Sequence, residues 1–139
     1  MERRTSPDPA RSSGEPRRYR FPRAFRLTLA REFQGVYAAK VRKGRGPLTV
    51  FATPNLLGHP RLGLSVGRRV GGAVVRNRAK RRIREAFRIL RHDLPTGYDF
   101  VVCATGRGAL ELADYQRLLF ARCRDLHREW SRRRAGEGP

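Results

Sequence analysis

Arg61-Leu-Gly-Leu-Ser-Val-Gly-Arg-Arg-Val-Gly-Gly-Ala-Val-Val-Arg-Asn-Arg-Ala-Lys-Arg-Arg-Ile-Arg-Glu-Ala-Phe-Arg-Ile-Leu-Arg91 is the stretch whose reading decides the fold of this chain. Its first six residues alternate. Leu62, Leu64 and Val66 fall on one side and Arg61, Gly63 and Ser65 on the other, the period of a half-buried strand. Beyond the glycine-bounded turn 67–72 the period lengthens. Val75, Ala79, Ile83, Ala86, Phe87 and Leu90 form one apolar stripe at about 100° per residue, which predicts a helix over 73–91. Away from that stripe stand Arg76, Asn77, Lys80, Arg81, Arg84, Arg88 and Arg91, with Arg78 and Arg82 flanking it from the other direction. Eleven side chains between Arg61 and Arg91 are basic and a single one, Glu85, is acidic. Like charges four residues apart cost a helix roughly a few tenths of a kcal/mol each, so an ordinary solvated face mixes signs. A face that does not is expected to meet phosphates.

Working outward, Thr28 is placed to cap a helix over 29–41, with Leu29, Phe33, Val36, Tyr37 and Lys40 on one face. The stretch 48–53 alternates between Leu48, Val50, Ala52 and Thr49, Phe51, Thr53, a second strand. Pro54, Gly58 and Pro60 in the connection to 61–66 suggest an antiparallel hairpin. The near-continuous apolar run 98–104 suits a central strand covered on both faces. Asp114 is placed to cap a last helix over 115–131. The order α-β-β-α-β-α, with room for one more short strand, describes an α+β single-domain sandwich of helices on a small mixed sheet. Residues 1–25, rich in Pro, Ser and Arg, read as a disordered basic arm, 26–131 as the folded domain and 132–139 as a flexible tail.

The 139 residues carry 32 Lys plus Arg against 12 Asp plus Glu, a net charge of +20. That charge cannot sit in a core and favours an acidic polymer as partner. Only Lys40, Lys43 and Lys80 are lysines. Arginine grips phosphate with a planar fork and stacks on bases, which suits nucleic acid. No run approaches 18 apolar residues, so no membrane span is expected. The first 26 residues lack the apolar core of a secretory signal, and Glu2, Asp8, Glu15 and four prolines spoil a transit helix, which places the protein in the cytoplasm. Cys103 and Cys123 read as buried thiols. The turn 67–72 offers backbone N–H groups to a phosphate at a helix start, but a turn needing positive φ accounts for its glycines equally well.

The ordered motif from Arg61 to Arg88 resembles the signature of the bacterial ribonuclease P protein subunit, with its Arg-Asn-Arg hallmark at Arg76-Asn77-Arg78 followed by Lys80-Arg81. Arg26-Leu27, Glu32-Phe33-Gln34 and Asp99-Phe-Val-Val102 extend the likeness over about 26–130. The resemblance implies a subunit of an endoribonuclease whose catalyst is a large RNA, which uses Mg²⁺ to remove the 5′ leader of precursor tRNA. It implies one protein per RNA, no cofactor on the protein alone, and RNA contact through Arg68, Arg69, Arg76, Asn77, Arg78, Lys80, Arg81 and Arg84. It also implies a leader-binding cleft of Arg26, Phe33, Tyr37 and Phe51. The residues alone speak for Phe51 as an exposed stacking platform, whereas Phe33 and Tyr37 suit a core stripe equally well. Two positions depart from the pattern: Gly72 replaces the usual Asn, and Thr105 replaces an arginine for which Arg107 is the nearest substitute.

The protein itself offers no catalytic or metal-binding residues to nominate. His59, His92 and His127 lack ligand spacing, and the dispersed acids, Asp99 among them, read as solvated or capping. Two other classes compete with the subunit reading. A structural ribosomal or RNA-chaperone protein shares the composition but not the ordered motif. A DNA-binding helix-turn-helix lacks its second helix, because strands flank 73–91.

Overall fold

The computed structural model describes residues 23–137, so the expected arm lies outside the described residues apart from a 3-10 turn at Arg23–Phe25, as do positions 138 and 139. The elements are α1 (Ala30–Ala38), β1 (Arg42–Lys43), β2 (Leu48–Pro54), β3 (Arg61–Val66), α2 (Ala73–Leu90), β4 (Tyr98–Ala104) and α3 (Leu112–Glu137), with a second 3-10 turn at Arg68–Val70. This is the expected α+β order with the extra short strand in place.

The hairpin is not formed. The sheet order is β1-β2-β4-β3, with β4 antiparallel to β2 and parallel to β3. The reason lies in β4, whose residues are all buried except the half-buried Cys103. An apolar strand is stable only with neighbours on both edges and helices on both faces, so β4 takes the middle. The connection 55–60 needs to cross only two strand spacings, about 10 Å, well within the reach of six residues.

One face of the sheet, with Leu48, Val50, Ala52, Leu62, Phe100 and Val102, packs against α2 (Ala79, Ile83, Ala86, Phe87) and α3 (Tyr115, Leu119, Cys123, Leu126). The other face carries a smaller cluster in which Leu27, Val36 and Val101 are buried while Phe33, Tyr37, Phe51 and Cys103 are only partly covered. Both cysteines are free thiols. Cys123 is buried as expected and Cys103 is half-buried, with burial pushing its thiol pKa up.

Both ends of the first and last helices differ from the sequence reading. Thr28 does not cap α1. Instead Glu32 Oε1 accepts the N–H groups of Thr28 at 2.9 Å and Leu29 at 3.0 Å, covering donors that the first turn leaves orphaned. Those two bonds hold the Glu32 carboxyl below its usual range, against the opposing effect of burial. At its other end α1 stops at Ala38 because Lys40 adopts φ 58°, which turns the chain into β1. The last helix starts before Asp114 and runs past 131, because its final turns have partners. Trp130 Nε1 donates to Ala52 O at 3.0 Å, and Arg134 donates to the Tyr98 hydroxyl at 2.7 Å.

Asp99 is neither solvated nor a cap. It is 7 % exposed and receives both forks of Arg61 at 2.8 Å and Asn55 Nδ2 at 2.7 Å. The third arm of Arg61 reaches Glu32 Oε2 at 3.0 Å, which ties the start of α1 to the sheet. A buried carboxylate is tolerable because its lone pairs are filled this way.

Candidate nucleic-acid interface

α2 holds its apolar stripe in the core, and its polar residues divide into two rows. Arg76, Lys80 and Arg84, spaced by four, are half-buried and border the stripe, while Asn77, Arg78 and Arg81 are exposed. The first row therefore does not avoid the stripe as the wheel suggests; the long side chains lay their stems along the core and keep their charged ends outside. No ion pair or hydrogen bond engages Arg76, Arg78, Lys80, Arg81 or Arg84 with an acid among the described residues. Arg76 Nε is a buried donor without an acceptor there. Arg82 differs: it donates to Leu110 O at 2.7 Å and so anchors the chain entering α3. Arg88 pairs with Glu85 at 2.6 Å.

β3 is an edge strand, and the row leans over it. There Lys80 and Arg84 meet Arg26, Leu27, Phe33, Leu62 and Leu64 around an open cavity of about 150 Å³. Two groups of site residues expected in different roles thus converge, Lys80 and Arg84 from α2 with Arg26 and Phe33 from the segment around α1. Burial, and then the neighbouring Arg26 cation, lowers the Arg84 pKa, so both effects disfavour its charge until an anion offsets them. Sequence spacing could not place Arg26 here. The link is a parallel bridge to Leu62, with Leu27 N–H donating to Leu62 O at 2.9 Å.

Phe33 lies on β3 because Gly63 gives it room. A Cβ at Gly63 would stand 2.7 Å from the Phe33 ring, so a side chain there would evict the aromatic. From Phe33 the partly covered aromatics of the small cluster continue to Tyr37 and Phe51, whose rings meet edge-to-face at 5.0 Å and 89°. Tyr37 and Phe33 are half-buried, serving the small cluster while presenting part of their rings. Phe51 is half-buried too, not fully exposed as the alternation implies, since Tyr37 covers one side and Arg42 stands over its ring at 5.8 Å.

Arg68 and Arg69 are exposed on the 3-10 turn before α2. Gly71, at φ 152°, ends that turn; a Cβ there would meet Val75 at 2.9 Å, so the turn itself requires this glycine. Gly72 stands at the N-cap of α2 without a side-chain cap bond, as the missing Asn implies. Gly108 N–H donates to Val70 O at 2.8 Å, which brings the neighbouring Arg107 to the same end of the molecule. Among the described residues no group of three or more His, Cys, Asp or Glu is placed to hold a metal ion, and no helix is long and apolar enough to cross a membrane.

A cavity lined by Arg26, Lys80 and Arg84, with Phe33 at its wall and Tyr37 and Phe51 in the adjoining cluster, is equipped to hold a phosphate beside an unstacked base. The comparisons agree with the motif. The family model described as Ribonuclease P matches residues 21–131. The ribonuclease P protein component of Methylococcus capsulatus is 47% identical over 87 residues, covering 62% of this chain and 67% of that protein. The structure resembles the RNase P protein of Staphylococcus aureus with a TM-score of 0.61 at 30% identity, over 70% of this chain and 90% of that one. It resembles the RNase P protein of Thermotoga maritima with a TM-score of 0.59 at 30% identity, over 71% of this chain and 96% of that one. Motif, fold and relatives agree, and the chain belongs to the ribonuclease P protein family.

Proposed function

We propose that this protein binds the catalytic RNA of ribonuclease P, one protein per RNA, and receives the 5′ leader of precursor tRNA, promoting its endonucleolytic removal. The observation that carries this reading is the α2 row of cations without acidic partners, converging with the α1 aromatics on one cavity. Arg76, Asn77, Arg78, Lys80, Arg81 and Arg84, with Arg68 and Arg69 at the near end, face the RNA backbone; arginine forks suit phosphates bidentately. Arg26, Phe33, Tyr37 and Phe51 receive the leader, where unpaired bases stack on ring faces at about 1–3 kcal/mol per base.

In this reading Mg²⁺ held by the RNA supplies the hydrolytic chemistry, and the protein's own residues bind, orient and neutralise. Crowding catalytic RNA against substrate RNA raises phosphate repulsion, and a +20 protein between them lowers it. The cytoplasm, where precursor tRNA meets the enzyme, is the compartment this reading implies.

Reconstitution tests it. The purified protein is mixed with a bacterial ribonuclease P RNA and labelled precursor tRNA at Mg²⁺ too low for the RNA alone. Leader removal in the mixture, and not with protein alone, is the expected result. Tight RNA binding without stimulation would replace this reading with a structural RNA-binding protein. Cleavage by the protein alone would place the active site in the protein.

A further inference from the structure

The sheet register brings into the cleft a residue that no motif singles out. β1 has two residues, and consecutive side chains on a strand point to opposite faces. Lys43 turns toward α3 and pairs with Glu129 at 3.3 Å. Arg42 turns toward the α1 face: it stands opposite Phe51 in the ladder, and its guanidinium carbon lies 5.8 Å from the centre of the Phe51 ring. Arg42 is exposed, and no carboxylate pairs with it among the described residues. One cation of the strand is thus neutralised in place, and the other is left on the cleft.

The row of cleft residues expected to receive the leader crosses the strands. It begins at the Arg26, Lys80 and Arg84 cavity beside β3 and passes Phe33 over Gly63 of β3. Tyr37 follows, with its hydroxyl 3.8 Å from Cys103 of β4, and the path then reaches Phe51 on β2 and ends at Arg42 on β1. Three strand spacings make this about 14 Å. Cations stand at both ends and aromatics between them, the arrangement that tracks a single strand by its phosphates while its bases stack. Resting on Phe51, the Arg42 guanidinium is held over the ring before any ligand arrives, so little side-chain ordering remains to be lost on binding.

We propose that Arg42 is a leader-binding residue, engaging a backbone phosphate of the single-stranded 5′ leader at the β1 end of the cleft. The proposal rests on the reading that the leader occupies this cleft. The test uses holoenzyme reconstituted with wild-type, Arg42→Ala, Arg42→Lys or Phe51→Ala protein, measuring affinity for precursor and mature tRNA across a salt series. Arg42→Ala is expected to weaken precursor binding about three- to tenfold, spare mature tRNA, and flatten the plot of log affinity against log salt by about 0.7, the value for one phosphate on a single strand. Arg42→Lys keeps the slope. Unchanged precursor affinity for Arg42→Ala, or an equal loss for both tRNAs, overturns the proposal while a selective loss in Phe51→Ala leaves the leader reading standing. If Phe51→Ala also shows no preference for precursor, the leader reading has failed and the assignment of Arg42 fails with it.

Discussion

α2 and α3 lie against one another on the same face of the sheet and carry seven basic side chains each. Their surroundings are opposite. On α3 every arginine is engaged: Arg117 with Asp114, Arg128 with Asp125, and Arg132 and Arg133 with Glu129. Arg122 and Arg134 donate to Leu48 O and the Tyr98 hydroxyl, and Arg124 stands over Phe120. On α2 only Arg82 and Arg88 have such bonds, and Glu85 is the lone acid. Basic residues that are already paired explain themselves within the fold. A row left unpaired is a liability to the free protein, and its purpose lies in a partner.

The comparison can be broken first at α2 itself. Replacing Arg76, Lys80 and Arg84 together by Ala is expected to weaken binding to the catalytic RNA on the order of a hundredfold or more, as three charge-assisted contacts go. Replacing Arg117, Arg128 and Arg132 of α3 by Ala should cost less than about threefold. Comparable losses from the two helices would erase the distinction. Circular dichroism melts would show whether the α2 variant keeps its fold despite the stems that border the core.

A finer cut separates neighbours within α2. Arg81→Ala is expected to lower RNA affinity about five- to tenfold and leave thermal stability unchanged. Arg82→Ala should do the reverse, removing about 1 kcal/mol of stability with the bond to Leu110 O and shifting the melting temperature by several degrees. A reversed pattern would show that burial and bonding misassign these two arginines.

The smallest expected effect lies on α3. Arg133, Lys43 and Arg132 hold the Glu129 carboxyl down to about 2, below the ordinary 4.5. A carboxylate with a depressed native pKa stabilises the fold fully above its unfolded value and loses that contribution as pH falls toward the native value. Between pH 4.5 and 2, Glu129→Gln should therefore flatten part of the acid limb of the stability curve, by less than Arg82→Ala costs at neutral pH. An unchanged limb would show that these exposed pairs contribute nothing to folding.

The strand and helix periods were legible because each is written in local spacing: the alternation of 61–66 and the stripe of α2 appear in the structure within a residue. Strand order was legible only in part: the apolar run 98–104 marks β4 as central, but not which strands flank it. Loop composition suggested a hairpin, and only the two-sided burial of β4 explains why β2 and β3 are kept apart. Lys80 and Arg84 share a helix row by their spacing of four, but nothing in the sequence joins them to Arg26 and Phe33; a bridge to an edge strand and the absence of a side chain at Gly63 do. Arg42 carried no signal, since its position over Phe51 depends on the pairing of β1 with β2. Asp99 looked like any strand-opening acid until Arg61 and Asn55 filled its lone pairs.

The central claim is that the unpaired cations of α2 exist to neutralise phosphates. The most direct measurement is the slope of log affinity for the catalytic RNA against log salt, compared between wild type and the two triple variants. The account predicts a slope shallower by about 3 for the Arg76, Lys80 and Arg84 variant, near 0.9 per lost phosphate contact, and no change for the α3 variant. Equal slopes for all three proteins would contradict it.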